Sequence, residues 1–86
     1  MPYIDSESRD RLENLVKTMC LTKIETAGEL NYLLTRLVHV FLDQGGYSYR
    51  GFNDVMGALE GCKLELYRRH IGEYENLKAN QNGDVP

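Results

Sequence analysis

The chain has 86 residues, of which 42% are hydrophobic, and a formal net charge of −3. This length predicts one small domain, and this hydrophobic content excludes wholesale disorder. The mild acidity gives no electrostatic reason for non-specific binding to nucleic acid or to an anionic membrane, so we expect neither partner. Because so short a chain buries a small fraction of its surface, we expect a homo-oligomer.

The sequence also predicts the cellular compartment of the protein and whether it binds a metal. No apolar run approaches the roughly 20 residues that cross a bilayer, and the opening MPYIDSESRD is polar and acidic, unlike a signal peptide. We therefore expect a cytoplasmic protein without a membrane span. Cys20, Cys62, His39 and His70 match no zinc-ligand spacing, so we expect no metal and no cofactor, and free, partly buried thiols.

Helix one is predicted from about Ser6 to Lys23. Asp5 or Ser6 can cap its first turn, because their side-chain oxygens accept free backbone N–H groups. Apolar residues recur at helical spacing along one stripe. They are Leu12, Leu15, Val16 and Met19.

Helix two is predicted from about Ala27 to Leu42 and is the most hydrophobic segment. Thr26 followed three residues later by Glu29 fits a capping box, in which hydroxyl and carboxylate bind each other's backbone. We interpret this helix as the central element of the fold, closed by the glycines at 45 and 46. Its wide apolar face is formed by Leu30, Leu33, Leu34, Leu37, Val38 and Phe41.

Helix three contains the stretch 52–70, FNDVMGALEGCKLELYRRH, whose face mixes apolar residues with Lys63, Tyr67 and His70. It starts with Asn53 or Asp54 as cap, or earlier at Ser48. Two alternatives stay open for its end, since glycine disfavours a helix interior. The helix passes through Gly72 and ends near residue 78, or it breaks at Gly72 and restarts. Residues 79–86 are expected to form a frayed or extended tail.

These elements predict an all-α fold with a single domain over residues 1–78 and a C-terminal tail over 79–86. We expect three helices, or four if a short one follows Gly72, with helices two and three antiparallel.

Three motifs resemble a family of short uncharacterised proteins carried by bacteria and their phages. They are GELNY at 28–32, LExxKxExYRR at 59–69 and NGDV at 82–85. The resemblance implies a small prokaryotic or phage accessory protein. It implies nothing about catalysis and assigns no site residues.

A polar cluster is the first candidate site. If helices two and three are antiparallel, the start of helix two lies near the end of helix three, which brings acids, bases and hydrogen-bond donors together. The members are Glu29, Asn31, Tyr32, Glu60, Lys63, Tyr67, Arg68 and Arg69. The alternative is structural: Glu60, Lys63 and Tyr67 form a buried network, and the arginines pair with Glu65.

An aromatic and glycine-rich surface is the second candidate, as an interface. Tyrosine offers large contact area at low entropic cost, and small residues let another backbone approach. The residues are Tyr47, Tyr49, Phe52, Gly57 and Gly61. The alternatives are a lid folded onto the core and, for the glycines, close packing against helix two or another copy.

The function expected from these features is non-enzymatic: a small binding or interaction protein, with a host protein as target if it is phage-borne. No nucleophile elbow, metal-ligand spacing or phosphate-binding loop is present. The alternative is a small-ligand binder that sequesters a nucleotide-type or other anionic ligand at the polar cluster, since arginine matches phosphate oxygens.

Overall fold

The structure, a computed structural model, describes residues 3–83 and is all-α over that range. In chain order it has α1 (Ser6–Leu21), α2 (Ala27–Gly45), α3 (Tyr49–Leu66), a π-helical turn (Tyr67–Ile71) and α4 (Gly72–Asn82). The prediction of an all-α fold with three or four helices is therefore confirmed. The antiparallel arrangement of helices two and three stays a prediction.

Asp5 caps α1, as its position predicted. Its Oδ1 accepts the backbone N–H of Ser8 at 2.8 Å, and this hydrogen bond lowers the pKa of the Asp5 carboxyl. The helix ends at Leu21, two residues before the predicted end, because Thr22 takes an extended backbone conformation. The Thr22 hydroxyl donates to the Thr18 carbonyl at 2.7 Å and satisfies one acceptor of the last turn.

One of the two hydrogen bonds of the predicted capping box of α2 is present, and the other is made to Glu25 in place of Thr26. The Glu29 N–H donates to the Thr26 Oγ1 at 3.1 Å, and the Glu29 carboxylate accepts the N–H of Glu25 at 2.7 Å. The carboxylate thus bonds to the residue that precedes the cap residue, Thr26. At the other end α2 continues to Gly45, and Gly46 follows with φ at +93°, a conformation that glycine tolerates best.

Ser48 caps the first turn of α3. Of the two predicted starts of helix three, the earlier one is therefore confirmed. The Gly51 N–H donates to the Ser48 Oγ at 3.0 Å, and the Phe52 N–H donates to the Ser48 carbonyl at 2.9 Å. Asn53 therefore lies inside the helix and does not cap it.

Leu42, at the end of α2, is the one buried residue among residues 3–83, with 6% of its surface exposed. It packs beside Gly51 in the first turn of α3. A Cβ added at Gly51 would lie 3.2 Å from the Leu42 Cδ2 and 3.2 Å from the Gly46 carbonyl oxygen. A side chain at this position would crowd both atoms, because the backbone of α3 lies close to the side chain of Leu42.

The helical backbone passes through Gly72 without a break, by way of the π-helical turn. Gly72 itself has α-helical angles, and α4 ends at Asn82 with Gly83 in a positive-φ conformation. Residues 79–82 are thus helical, and the expectation that they are frayed or extended is wrong. Residues 84–86 of the predicted tail lie outside the described residues.

Two compact units are distinguished within the described chain, residues 3–55 and residues 56–83. The first contains α1, α2 and the first turns of α3. The second contains the rest of α3, the π-helical turn and α4. The single-domain assignment over residues 1–78 stays a prediction.

Candidate functional site

The predicted polar cluster is divided between the two units. Glu29, Asn31 and Tyr32 lie in the unit 3–55, and the other five members lie in the unit 56–83. The proximity of the two groups therefore stays a prediction.

The three polar residues that open α2 make contacts within the first turns of the chain around them. The Glu29 carboxylate accepts the Glu25 N–H, and the main-chain carbonyl of Asn31 accepts the Thr35 hydroxyl at 2.8 Å. The Tyr32 ring lies 6.0 Å from the Arg36 guanidinium carbon, a cation–π distance. These contacts stabilise the first turns of α2.

A cleft of about 360 Å³ lies beside the same turns, where the α1–α2 connection meets α2. The residues that line it are Thr22, Lys23, Ile24, Gly28, Glu29, Tyr32 and Leu33. Its walls include the side chains of Ile24 and Leu33. A cleft of this character suits an apolar side chain better than an anion.

Glu60 and Lys63 form a surface ion pair. The Lys63 Nζ lies 3.7 Å from the Glu60 Oε1, with side-chain exposures of 74% and 57% respectively. An exposed pair at this spacing contributes little to stability. The alternative of a buried network joining Glu60, Lys63 and Tyr67 is therefore wrong, because both charged groups are in water.

Arg68 and Arg69 both bind one carboxylate. The Arg68 Nη2 lies 2.8 Å from the Glu65 Oε1, and the Arg69 Nε donates to the same oxygen. The predicted pairing of these arginines with Glu65 is confirmed. The Glu65 carboxylate offsets part of the positive charge that an anion would meet at these two arginines.

Tyr67 pairs with Glu75 across the π-helical turn. Its hydroxyl donates to the Glu75 Oε2 at 3.0 Å, and a Cβ added at Gly72 would lie 3.8 Å from the Tyr67 ring. The hydrogen bond, and then the negative charge of the carboxylate, raise the pKa of Tyr67 above 10.0. A π-helical turn inside a helix frequently marks a functional position.

Alkaline pH provides a test of the Tyr67–Glu75 bond. Because the pKa of Tyr67 is higher in the folded chain, the bond's contribution to stability is complete below pH 10.0 and is lost as pH rises through the folded pKa. We expect the Tyr67→Phe variant to lose less stability than the wild type between about pH 9 and 11. Urea unfolding at each pH measures this difference.

Tyr74→Phe is the matched control for that variant. It removes one hydroxyl from the same part of the chain and keeps the Tyr67–Glu75 bond, while the Tyr74 ring retains Lys78 Nζ at 5.6 Å. If Tyr67→Phe follows the wild-type pH curve, the hydrogen bond does not contribute in solution.

The aromatic loop is partly ordered by its own contacts. The Tyr47 hydroxyl donates to the Asp43 Oδ1 at 2.8 Å, which raises the pKa of Tyr47, and its ring meets Phe52 edge-on at 6.4 Å. Tyr49 is 80% exposed. Among the described residues, no atom outside the chain neighbours and the backbone of α3 lies within 4 Å of a Cβ built at Gly57, whereas Gly61 is half-buried. The interface hypothesis for these residues stays a prediction.

Apolar exposure on α1 and α2 is the feature that sequence reasoning missed. The sequence predicts α2 as the central element of the fold, yet its apolar stripe is exposed except for the half-buried Val38, and so is the stripe of α1. On α2 we define the α2 face by six residues: Leu30, Leu33, Leu34, Leu37, Val40 and Phe41. On α1 we define the α1 face by Leu12, Leu15, Val16 and Met19. Helical periodicity identifies such stripes but contains no information on what covers them.

The thiols of the two cysteines are accessible to solvent. Cys20 and Cys62 are free and exposed, so the expectation of partly buried thiols is wrong. The His39 Nδ1 lies 2.8 Å from the Thr35 carbonyl.

Across residues 3–83 no three potential metal ligands come together. Within that same range, no helix combines the length and the apolar character needed to cross a membrane.

Comparison with known proteins places the chain in a family. A family model described as "Domain of unknown function (DUF6899)" matches residues 1–85. No curated protein and no solved structure matches the chain. Since the match spans nearly all of the sequence, the chain belongs to the DUF6899 family.

Proposed function

We propose that this member of the DUF6899 family is a non-enzymatic interaction protein that binds another polypeptide through the α2 face. One observation carries the proposal: six large apolar side chains are exposed together on one helix. Contiguous apolar surface of this kind typically marks a protein interaction site.

Other residues of the chain cover a part of α2 that lies next to the α2 face and does not overlap it. At about 100° per residue, the six side chains fall within an arc of about 120°, from Val40 to Leu34. Next to that arc lie Val38, which is half-buried, and Leu42, which is buried beside Gly51. The apolar side of α2 therefore has one edge that the chain covers and a wider part, the α2 face, that is exposed.

The cleft at the start of α2 adds a second element to the same surface. Leu33 belongs to both the α2 face and the cleft wall. Binding energy at protein interfaces concentrates where an apolar anchor fills such a depression. We therefore propose that the partner contributes a helix or loop with an apolar anchor residue.

The polar residues support binding rather than catalysis. Catalytic groups ordinarily combine a perturbed pKa with a place in a cleft. Here the two tyrosines with raised pKa values, Tyr47 and Tyr67, donate surface hydrogen bonds to carboxylates. The alternative anion site has weaker support, because Arg68 and Arg69 bind Glu65.

The resemblance to proteins carried by phages adds a cellular setting to this proposal. A phage accessory protein that acts in the cytoplasm meets host proteins, so a host protein is one expected partner. Homo-oligomerisation uses the same kind of apolar surface and is the other.

Site-specific photo-crosslinking tests the proposal. The photoreactive residue p-benzoylphenylalanine replaces Leu37 on the α2 face or, as matched control, His39 on the opposite side of α2. We expect adducts of higher mass at position 37 and not at position 39 after irradiation of cells that produce the full chain. No adduct at 37, or equal yields at both positions, contradicts the proposed function.

A further inference from the structure

We infer that the α1 and α2 faces are covered by a second copy of this chain, so that the protein is a homodimer. This inference rests on the proposed function and names the partner of the same surface. The faces belong to one unit, residues 3–55. Leu37, near the centre of the α2 face, is 52% exposed, whereas Leu42 on the covered edge is 6% exposed.

The exposed area matches what a stable dimer needs. From their exposed fractions, the ten side chains of the two faces present on the order of 800 Å², about the area that each partner buries in a standard interface. The ten side chains of the two faces are leucine, valine, methionine and phenylalanine, without a charged residue. An interface core depleted of charge is typical of homodimers.

A second copy is favoured over a foreign partner because the surface is needed for folding. Fixing a backbone costs about 1–2 kcal/mol per residue, and burial of apolar surface must offset that cost. With Leu42 as the only buried residue of 3–83, the lone unit buries little. A covering surface must then be present wherever the chain folds. Another copy of the chain always satisfies this condition.

The charges along the edge of the α2 face are compatible with self-association. Glu29, Arg36 and Asp43 recur every seven residues on one side of it and carry both signs. In an antiparallel pair of identical helices this edge faces its own counterpart. Arg36 of one copy lies beside Glu29 or Asp43 of the other when the two-fold axis passes about half a heptad from Arg36. A partner with a uniformly charged edge would meet repulsion at Arg36 or at the acids.

Sedimentation equilibrium of the full chain measures the mass directly. Between about 1 and 100 μM we expect twice the chain mass of 9.9 kDa. A mass of 9.9 kDa at all concentrations overturns the inference. This result does not depend on whether any variant folds.

The Leu37→Glu variant locates the interface. It places a carboxylate in the centre of the α2 face of both copies, so we expect self-association to weaken about 100-fold or more. His39→Glu introduces the same charge on the other side of α2, and we expect its dimer to be unchanged. A dimer that tolerates Leu37→Glu, or that His39→Glu weakens equally, contradicts the placement on the α2 face.

Failure of this inference is distinguishable from failure of the proposed function. A monomeric wild type that still forms adducts through position 37 with a different protein overturns the dimer and retains the interaction protein. A monomeric wild type without adducts at 37 contradicts both. Adducts of two identical chains, together with a dimeric mass, support both.

Discussion

Replacing Leu42 with alanine is expected to lower the free energy of unfolding by about 3 kcal/mol, because it is the one buried residue among residues 3–83. Leu42 is the buried side chain that joins the end of α2 to the first turn of α3. Truncation removes its contacts and leaves a cavity beside Gly51. Urea unfolding at one fixed protein concentration gives the value, because association would otherwise shift the midpoint.

Leu21→Ala is the matched control for this prediction. It makes the same chemical change at the end of α1, where the side chain is 89% exposed. We expect a change of no more than about 0.5 kcal/mol at such a surface position. If the two variants lose equal stability, Leu42 is not buried in solution.

Two glycine-to-alanine substitutions in α3 are expected to act in opposite directions. At Gly51 the new methyl group would lie 3.2 Å from the Gly46 carbonyl oxygen and 3.2 Å from Leu42. This crowding exceeds the gain in helix propensity, so we expect a loss of about 1–2 kcal/mol. At Gly57 no described atom outside the chain neighbours and the backbone of the same helix lies within 4 Å of the added Cβ, so we expect a gain of about 1 kcal/mol.

The comparison of these two variants also tests the interface assigned to Gly57. Both make one chemical change within one helix, so their difference reports the local environment. Urea unfolding and sedimentation of each variant are the measurements. A loss of stability in Gly57→Ala, with a change in mass, would show that a neighbouring molecule approaches this glycine and that the α2 face is not the only contact.

Local features of the fold were predictable because their signals lie within a few residues. Asp5, Thr26 and Ser48 each place a side-chain oxygen three residues before a free backbone N–H. Capping depends on that spacing alone. The closing glycine of α2 follows from the same kind of rule, since Gly46 takes a positive φ.

Exposure could not be predicted from the same pattern. The periodicity of Leu30, Leu33 and Leu37 shows that the helix has an apolar side, and a side of that kind is compatible with a core or an interface. Which of these it becomes depends on surfaces distant in sequence or on another molecule. The pairing of Arg69 with Glu65, four residues apart, was predictable because both lie on one helix.

The Tyr67–Glu75 bond was missed for a different reason. On a regular α-helix, residues eight apart lie about 80° from each other and do not align. The π-helical turn between them inserts one residue, so that position 75 takes the angular place that position 74 would have. Nothing in the local composition of 67–71 signals this insertion.

The π-helical turn also bears on how sequences of this family align. Leu59 and Leu66 are seven residues apart and Leu66 and Tyr74 are eight apart, yet the inserted residue brings all three onto one line. A relative lacking one residue between 67 and 71 would have an uninterrupted α-helix with the same line of side chains. In an alignment of the family, a one-residue gap at this place would correspond to the gain or loss of the π-helical turn. The side chains before and after the gap would keep their angular positions around the helix.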